Sequence, residues 1–468
     1  MKLLVLFLST FFIIKSVSCQ VVKFDYSKKT QDSNSHTASS PLINKLRKRQ
    51  DTYQAIGFTD DTVAYYVNLT VGSQGKEILA VLDTGSSDLW FPGPDNTECT
   101  NGKPNGPRFV DAPELTSSET NPKESALAEL AKDIQNYCSP SNVFNYHNSK
   151  TWHSNDTLFK ISYLDGSIST GLWGTDNIQV GGIEIPNFSF AVTNSSNASA
   201  IFGISFDKSE TTYIMNSKPP YTYSNFPMRL KQDGHISKIT YSLSSGKPGD
   251  FEGTLLVGGV DHAKYSGGLV TVPILSDQTT AVTLSSLGLK TNGSNIETIS
   301  STFYKTLLDS GTTTANFPHQ LLDPLARKLG STLTTVKHNS YEYYDVDCSY
   351  LGDKNYTFEL DFSGKIISVP LSNAVQKQPS NDVCFLKIVS LTDDIIILGD
   401  IFLSSAYIVY DLEDQEISIA QANHSSEEDI EPIVTSVPSA TKATAYSSTF
   451  SKRLPETTTY DVFSTVLI

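Results

Sequence analysis

From Tyr65 onward the chain alternates between short apolar runs and clusters of Gly, Asn, Asp and Pro. The runs are YYVNLTV, EILAVLD, LFKISY, IEIPNFSFAV, GTLLVGG, IISVPL, DIIILGD, AYIVYD and EISIAQA. Segments of this length, rich in β-branched and aromatic residues and bounded by turn formers, read as strands spaced as in an all-β protein. Helical patterning is sparse: HQLLDPLARKL after Pro318, and KESALAELAKDI at residues 123–134. The chain between Gln50 and Asn423, about 370 residues, exceeds what one hydrophobic core organises, so two lobes are expected.

The pattern changes at both ends. Lys2 precedes an apolar run from Leu3 to Ile14, and Ser16, Ser18 and Cys19 follow. That order of charge, apolar core and small residues is a secretory signal peptide over 1–19, too short to span a bilayer. Residues 20–49 are polar and end in Lys45, Leu46, Arg47, Lys48, Arg49. They read as a propeptide that a processing protease removes by cutting after Arg49. After Asn423 the composition turns acidic and then Ser/Thr-rich, with Pro432, Pro438 and Pro455, so 424–468 is expected to be a disordered tail. Its final DVFSTVLI is shorter than the apolar tail of a lipid-anchor signal. The expected product is soluble and secreted, or retained at the cell wall.

Charge and cysteines narrow the picture. Nine Lys or Arg and two Asp precede Gln50, and taking that +7 from the overall −15 leaves −22 for the remainder. Such a surface argues against nucleic acid or anionic membranes as partners and favours basic peptides, the propeptide included. With Cys19 in the signal peptide, Cys99, Cys138, Cys348 and Cys384 remain in an oxidising compartment. Three pairings are open; proximity along the chain favours Cys99–Cys138 and Cys348–Cys384. No CxxC or His-Cys cluster points to a metal, and no cofactor is expected. Sequons at Asn68, Asn155, Asn187, Asn194, Asn197, Asn292, Asn355 and Asn423 fit a glycosylating route.

An internal repeat carries the chemistry. AVLDTGSS at 80–87 recurs as LLDSGTT at 307–313, and each copy is followed by an apolar-apolar-Gly triplet, Ile201-Phe202-Gly203 and Ile397-Leu398-Gly399. The first interval, 120 residues against 90, is lengthened by the 38 residues between Cys99 and Cys138. Two related lobes with one Asp each follow: 50–262, carrying a disulfide-closed insert at 99–138, and 263–423. Two carboxyls addressing one water can hydrolyse a peptide bond, one as base and one as acid, because so close a pair shares a proton over the acidic range. Around Asp83 and Asp309, Gly85 and Gly311 let the chain turn tightly. Thr84 and Ser310 can cross-brace the loops, and Ser86 and Thr312 can orient the outer carboxylate oxygens.

DTGSSDLWFP, HISKITYSLSSGKPGDFEGTLLVGGVDHAKYSG, LLDSGTT and ILGDIFLSSAYIVYDLEDQEISIAQAN occur in that order across residues 65–422. Together they resemble the pepsin-family aspartic proteases, and within them the fungal yapsins, candidapepsins and barrierpepsins; the last block is most similar to a yapsin. The resemblance implies an all-β, bilobal fold with the cleft between two related β lobes. It also implies that Tyr163, in ISYLDGS, is a flap tyrosine and that Trp90 bonds its hydroxyl. Many relatives have Gly after that tyrosine, whereas this chain has Leu164, which stiffens the flap or fills part of a subsite. Asp165, followed by Gly166, is placed either to pair a basic substrate side chain or to stabilise the flap turn. We therefore expect a monomeric endopeptidase acting on peptides or proteins, with preference for basic residues at the cut. The alternatives are a broad-specificity acid protease of the candidapepsin type, a glycosidase using the paired carboxylates, or a non-catalytic surface glycoprotein.

Overall fold

The computed structural model describes residues 21–27, 65–100, 142–164, 166–214, 219–246, 252–291, 294–338, 341–378, 382–390 and 395–450. Within these the chain is mostly β-sheet, with short helices. Fourteen strands join into one hydrogen-bonded sheet that runs from the first lobe into a layer shared by both lobes. The shared layer holds Thr240–Ser245, Glu252–Val257, Ala406–Asp411, Glu416–Ala422 and Tyr265–Pro273. Three smaller sheets, of five, four and four strands, build the second lobe. The run after Pro318 forms a helix, His319–Lys328, that buries Leu321, Leu322, Leu325 and Ala326. The other helical pattern, at 123–134, lies outside the described residues, as do 1–20 and most of the 99–138 insert.

The repeat seen in the sequence is a repeat in topology. Lys76–Asp83 pairs in parallel with Ile201–Gly203, setting Asp83 opposite Gly203. Tyr304–Leu308 pairs in parallel with Ile396–Leu398 in the corresponding way. In each lobe a further strand, Leu89–Pro92 or Ala315–Asn316, lies antiparallel to the downstream triplet. The triplet glycines are required by close approach. A Cβ on Gly203 would stand 2.6 Å from the Asp88 nitrogen, and one on Gly399 would stand 2.1 Å from the Thr312 oxygen. No side chain fits where these strands pass the two Asp loops.

Both ends of the chain join this frame. Val22–Ser27, within the segment read as propeptide, pairs antiparallel with Glu252–Val257 and adds a strand to the shared layer. The tail departs from the sequence expectation, because residues 424–450 are ordered. Ile430–Pro432 pairs with Gly259–Asp261, and Ala440–Lys442 runs parallel to Tyr265–Pro273. Ile433 is 0% exposed among Val260, Leu269, Tyr407, Val409 and Ala420. Farther on, Ala443 is buried and the Tyr446 hydroxyl donates to Glu416 at 2.5 Å. Scattered single apolar residues escaped the composition argument, yet Ile433 and Ala443 fill places on a ready-made core. Ion pairing of Lys23 with Glu428 links the two ends. Residues 451–468 lie outside the described set.

Candidate active site

Each Asp ends an apolar strand whose alternate side chains are in the core, and the loop that follows folds back onto its carboxylate. On the first lobe Gly85 N–H donates to Asp83 Oδ1 at 2.7 Å, and the Ser86 hydroxyl donates to Oδ2. On the second, Gly311 N–H donates to Asp309 Oδ1 at 2.9 Å and the Thr312 hydroxyl to Oδ2 at 2.6 Å. The loops are locked to each other reciprocally. Thr84 Oγ1 donates to the Leu308 carbonyl at 2.9 Å and accepts from Ser310 N–H at 3.0 Å. Ser310 Oγ donates to the Leu82 carbonyl at 2.7 Å and accepts from Thr84 N–H at 3.0 Å.

This brace holds the two carboxyls within hydrogen-bonding reach of one another, both 0% exposed. Burial pushes both above the usual carboxylate range. The neighbouring Asp83 charge adds to the rise of Asp309, and the bonds from Thr312 and Gly311 to Asp309, like those from Ser86 and Gly85 to Asp83, oppose the rise. A pair this close shares one proton in acid.

Around the dyad the lobes are tied by groups the sequence reading did not single out. Tyr410 donates to the Leu308 carbonyl at 3.1 Å and stacks on Tyr241, ring centroids 4.7 Å apart. Tyr65 donates to Asp400 at 2.5 Å, and Thr280 to the Thr84 carbonyl at 3.0 Å. A polar residue inside an otherwise apolar strand, as in AYIVYD, was the available signal.

His153–Ser162 and Ile168–Val180 pair as an antiparallel hairpin, and Tyr163 N–H donates to the Ser167 carbonyl at its end at 2.9 Å. Gly166, at φ +85°, donates its N–H to the Tyr163 carbonyl at 3.0 Å. Tyr163 is buried, and its hydroxyl accepts from Trp90 Nε1 at 2.7 Å. Asp165 lies outside the described residues. So does the Cys99–Cys138 pairing, whereas Cys348 and Cys384 are bridged, Cα atoms 5.2 Å apart.

Two further buried carboxyls stand behind the first loop. Asp88 accepts from Tyr223 Oη at 2.8 Å and from Thr211 N–H at 2.9 Å; Glu210 accepts from Tyr223 N–H at 2.8 Å. None of these partners is a cation. Burial pushes Asp88 up to about 6. Glu210 is pushed to about 10 by burial and by the nearby Asp88 charge. Tyr223 packs on Trp173, and Trp173 on Phe159, which connects these acids to the aromatic cluster around Tyr163.

A pair of buried, hydrogen-bond-oriented carboxyls where two β lobes meet is the arrangement of a two-aspartate hydrolase. The family model described as eukaryotic aspartyl protease matches residues 64–422, and the chain belongs to that family. It is an aspartic-type endopeptidase of the fungal pepsin-like kind, hydrolysing peptide bonds with an aspartate dyad. It is 35% identical to aspartic proteinase MKC7 of Saccharomyces cerevisiae, over 87% of this chain and 74% of that relative. Identity to aspartic proteinase yapsin-3 of the same yeast is 32%, over 95% and 81%. To secreted aspartic protease 4 of Candida albicans it is also 32%, over 80% of each chain.

Proposed function

We propose that Asp83 and Asp309 are the dyad of this endopeptidase and that it acts outside the cytoplasm, as a yapsin-like enzyme with a preference for basic residues at the cut. The observation that carries the dyad is the reciprocal Thr84–Ser310 brace, which fixes two buried carboxyls side by side. Ionised Asp83 takes a proton from a water held between the two groups. Protonated Asp309 donates to the carbonyl oxygen of the scissile bond, so no charge separates across the buried site. Thr84, Gly85, Ser86, Ser310, Gly311 and Thr312 keep both carboxyls oriented. Tyr163, held by Trp90, closes over the bound peptide, with Gly166 shaping the turn.

The basic preference rests on Asp165, two residues after Tyr163, and on the −22 net charge of the chain beyond Arg49. Secretion and removal of 1–49 rest on the signal pattern and the Lys48–Arg49 pair, and the word "secreted" in one relative's name points the same way. The test is cleavage of a denatured protein at acid pH, blocked by a statine-type inhibitor. Matched peptides with Lys, Leu or Phe before the cut are then compared on wild type and Asp165→Ala. A loss confined to the Lys peptide, about tenfold, supports recognition by Asp165. Equal loss on all three makes it a residue of the flap turn.

A further inference from the structure

Neighbouring side chains on the flap turn are held by different lobes. Tyr163 belongs to the first lobe, packed with Trp90, Phe159, Ile161, Trp173 and Ile201. Leu164 packs instead on Leu307, Ile395 and Ile397 of the second lobe. Strand periodicity explains what these three residues are doing there. Side chains alternate between the two faces of a strand, and Leu308, Ile396 and Leu398 enter the main core. Leu307 and Ile397 therefore stand on the opposite face, the one the flap meets, and Ile395 joins them. Leu307, Ile395 and Ile397 are 1%, 3% and 1% exposed. Leu164, itself half-buried, lies against them.

The seat adjoins the chemistry. Leu307 is two residues before Asp309, and Ile397 is its parallel partner. A peptide lying across the dyad must pass between the catalytic loops and the flap. β layers whose side chains already touch, about 10 Å apart, have no room for another strand between them.

We infer that Leu164 is a built-in plug: in the unliganded enzyme it fills an apolar seat on the second lobe that a substrate side chain must take over before the peptide can lie across Asp83 and Asp309. This rests on the reading of the hairpin as the flap. Substrate binding then requires the Leu164 contact to break, so the open, binding-competent form is a fraction of the resting enzyme and apparent affinity falls by that fraction.

Leu164→Gly and the volume-conserving Leu164→Met test this, with Tyr163→Ala as the reference for the flap. Leu164→Gly is expected to lower KM for short peptides, and the dissociation constant of a statine-type inhibitor, by roughly fivefold to tenfold with kcat unchanged. Hydrogen exchange at residues 163–167 becomes faster in the unliganded protein, and Leu164→Met stays close to wild type. A Leu164→Gly enzyme of unaltered melting temperature whose KM is unchanged or higher overturns the plug, because Leu164 is then a fixed wall. If Tyr163→Ala still impairs kcat in that case, the flap reading survives without the plug. If neither variant changes kcat, KM or inhibitor affinity, both readings fall together.

Discussion

The two halves of the molecule carry Asp loops with the same hydrogen-bond pattern in unlike surroundings. Gly85 and Ser86 hold Asp83 as Gly311 and Thr312 hold Asp309, and the brace between the loops is reciprocal. Beyond the loops the likeness ends. In the first half stand the hairpin that carries Tyr163, its aromatic cluster and the buried acids Asp88 and Glu210. Next to the second lie the apolar seat of Leu307, Ile395 and Ile397 and, elsewhere in that lobe, the Cys348–Cys384 bridge. Chemistry needs symmetry, because one water must be addressed by two equivalent groups. Access and response to pH are set by the neighbours, which duplication leaves free to differ.

The largest effect tests the symmetric part. Asp83→Asn and Asp309→Asn are each expected to lower kcat by at least about 10³-fold, with secretion and melting temperature nearly unchanged. Measurable wild-type turnover in either variant would refute the shared site.

The second test separates the lobes by pH. Asp88 and Glu210 have folded values raised above their unfolded ones, so between those values the folded protein binds more protons than the unfolded chain. Stability is then fully present in acid and is lost as pH rises, from about 4 upward, through about 6 for Asp88 and toward about 10 for Glu210. Each such group removes at most about 1.4 kcal/mol per pH unit in its window. Glu210→Gln is expected to flatten the fall in melting temperature between pH 5 and pH 7, which thermal scans across that range will measure. A fall as steep as in wild type would place the pH response elsewhere.

The smallest effect breaks the symmetry of the dyad itself. Ser86→Ala removes a bond that favours ionised Asp83, so its pKa rises and the acid limb of the kcat/KM profile moves to higher pH. Thr312→Ala raises Asp309 in the same way, and with the proton on Asp309, as proposed above, it is the alkaline limb that moves up. Shifts of about half a unit on different limbs are expected. Movement of the same limb in both variants would show that the proton has no preferred home.

Much of this was legible along the chain because strand structure writes itself with a period of two and the catalytic loop occurs twice. EILAVLD and LLD announced buried strands ending in a carboxyl, and the paired triplets ending in Gly203 and Gly399 announced the duplication. The tail was misread for a physical reason. Ile433 and Ala443 are isolated apolar residues in a Ser/Thr-rich stretch, and their burial, like the partial burial of Ala440 and Tyr446, depends on surfaces built by residues far away. Asp88 and Glu210 were missed because nothing local separates a buried carboxyl from a solvated one.

Local order therefore came from sequence: which segments are strands, that there are two related halves, and which carboxyls end their repeated strands. Tertiary structure alone decided what crosses between the halves. The Thr84–Ser310 brace joins loops 226 residues apart, and Leu164 finds its apolar seat on the far lobe. Periodicity is a property of neighbouring residues. Burial, pKa and closure of the cleft depend on which distant surfaces meet, and no short stretch of chain contains that information.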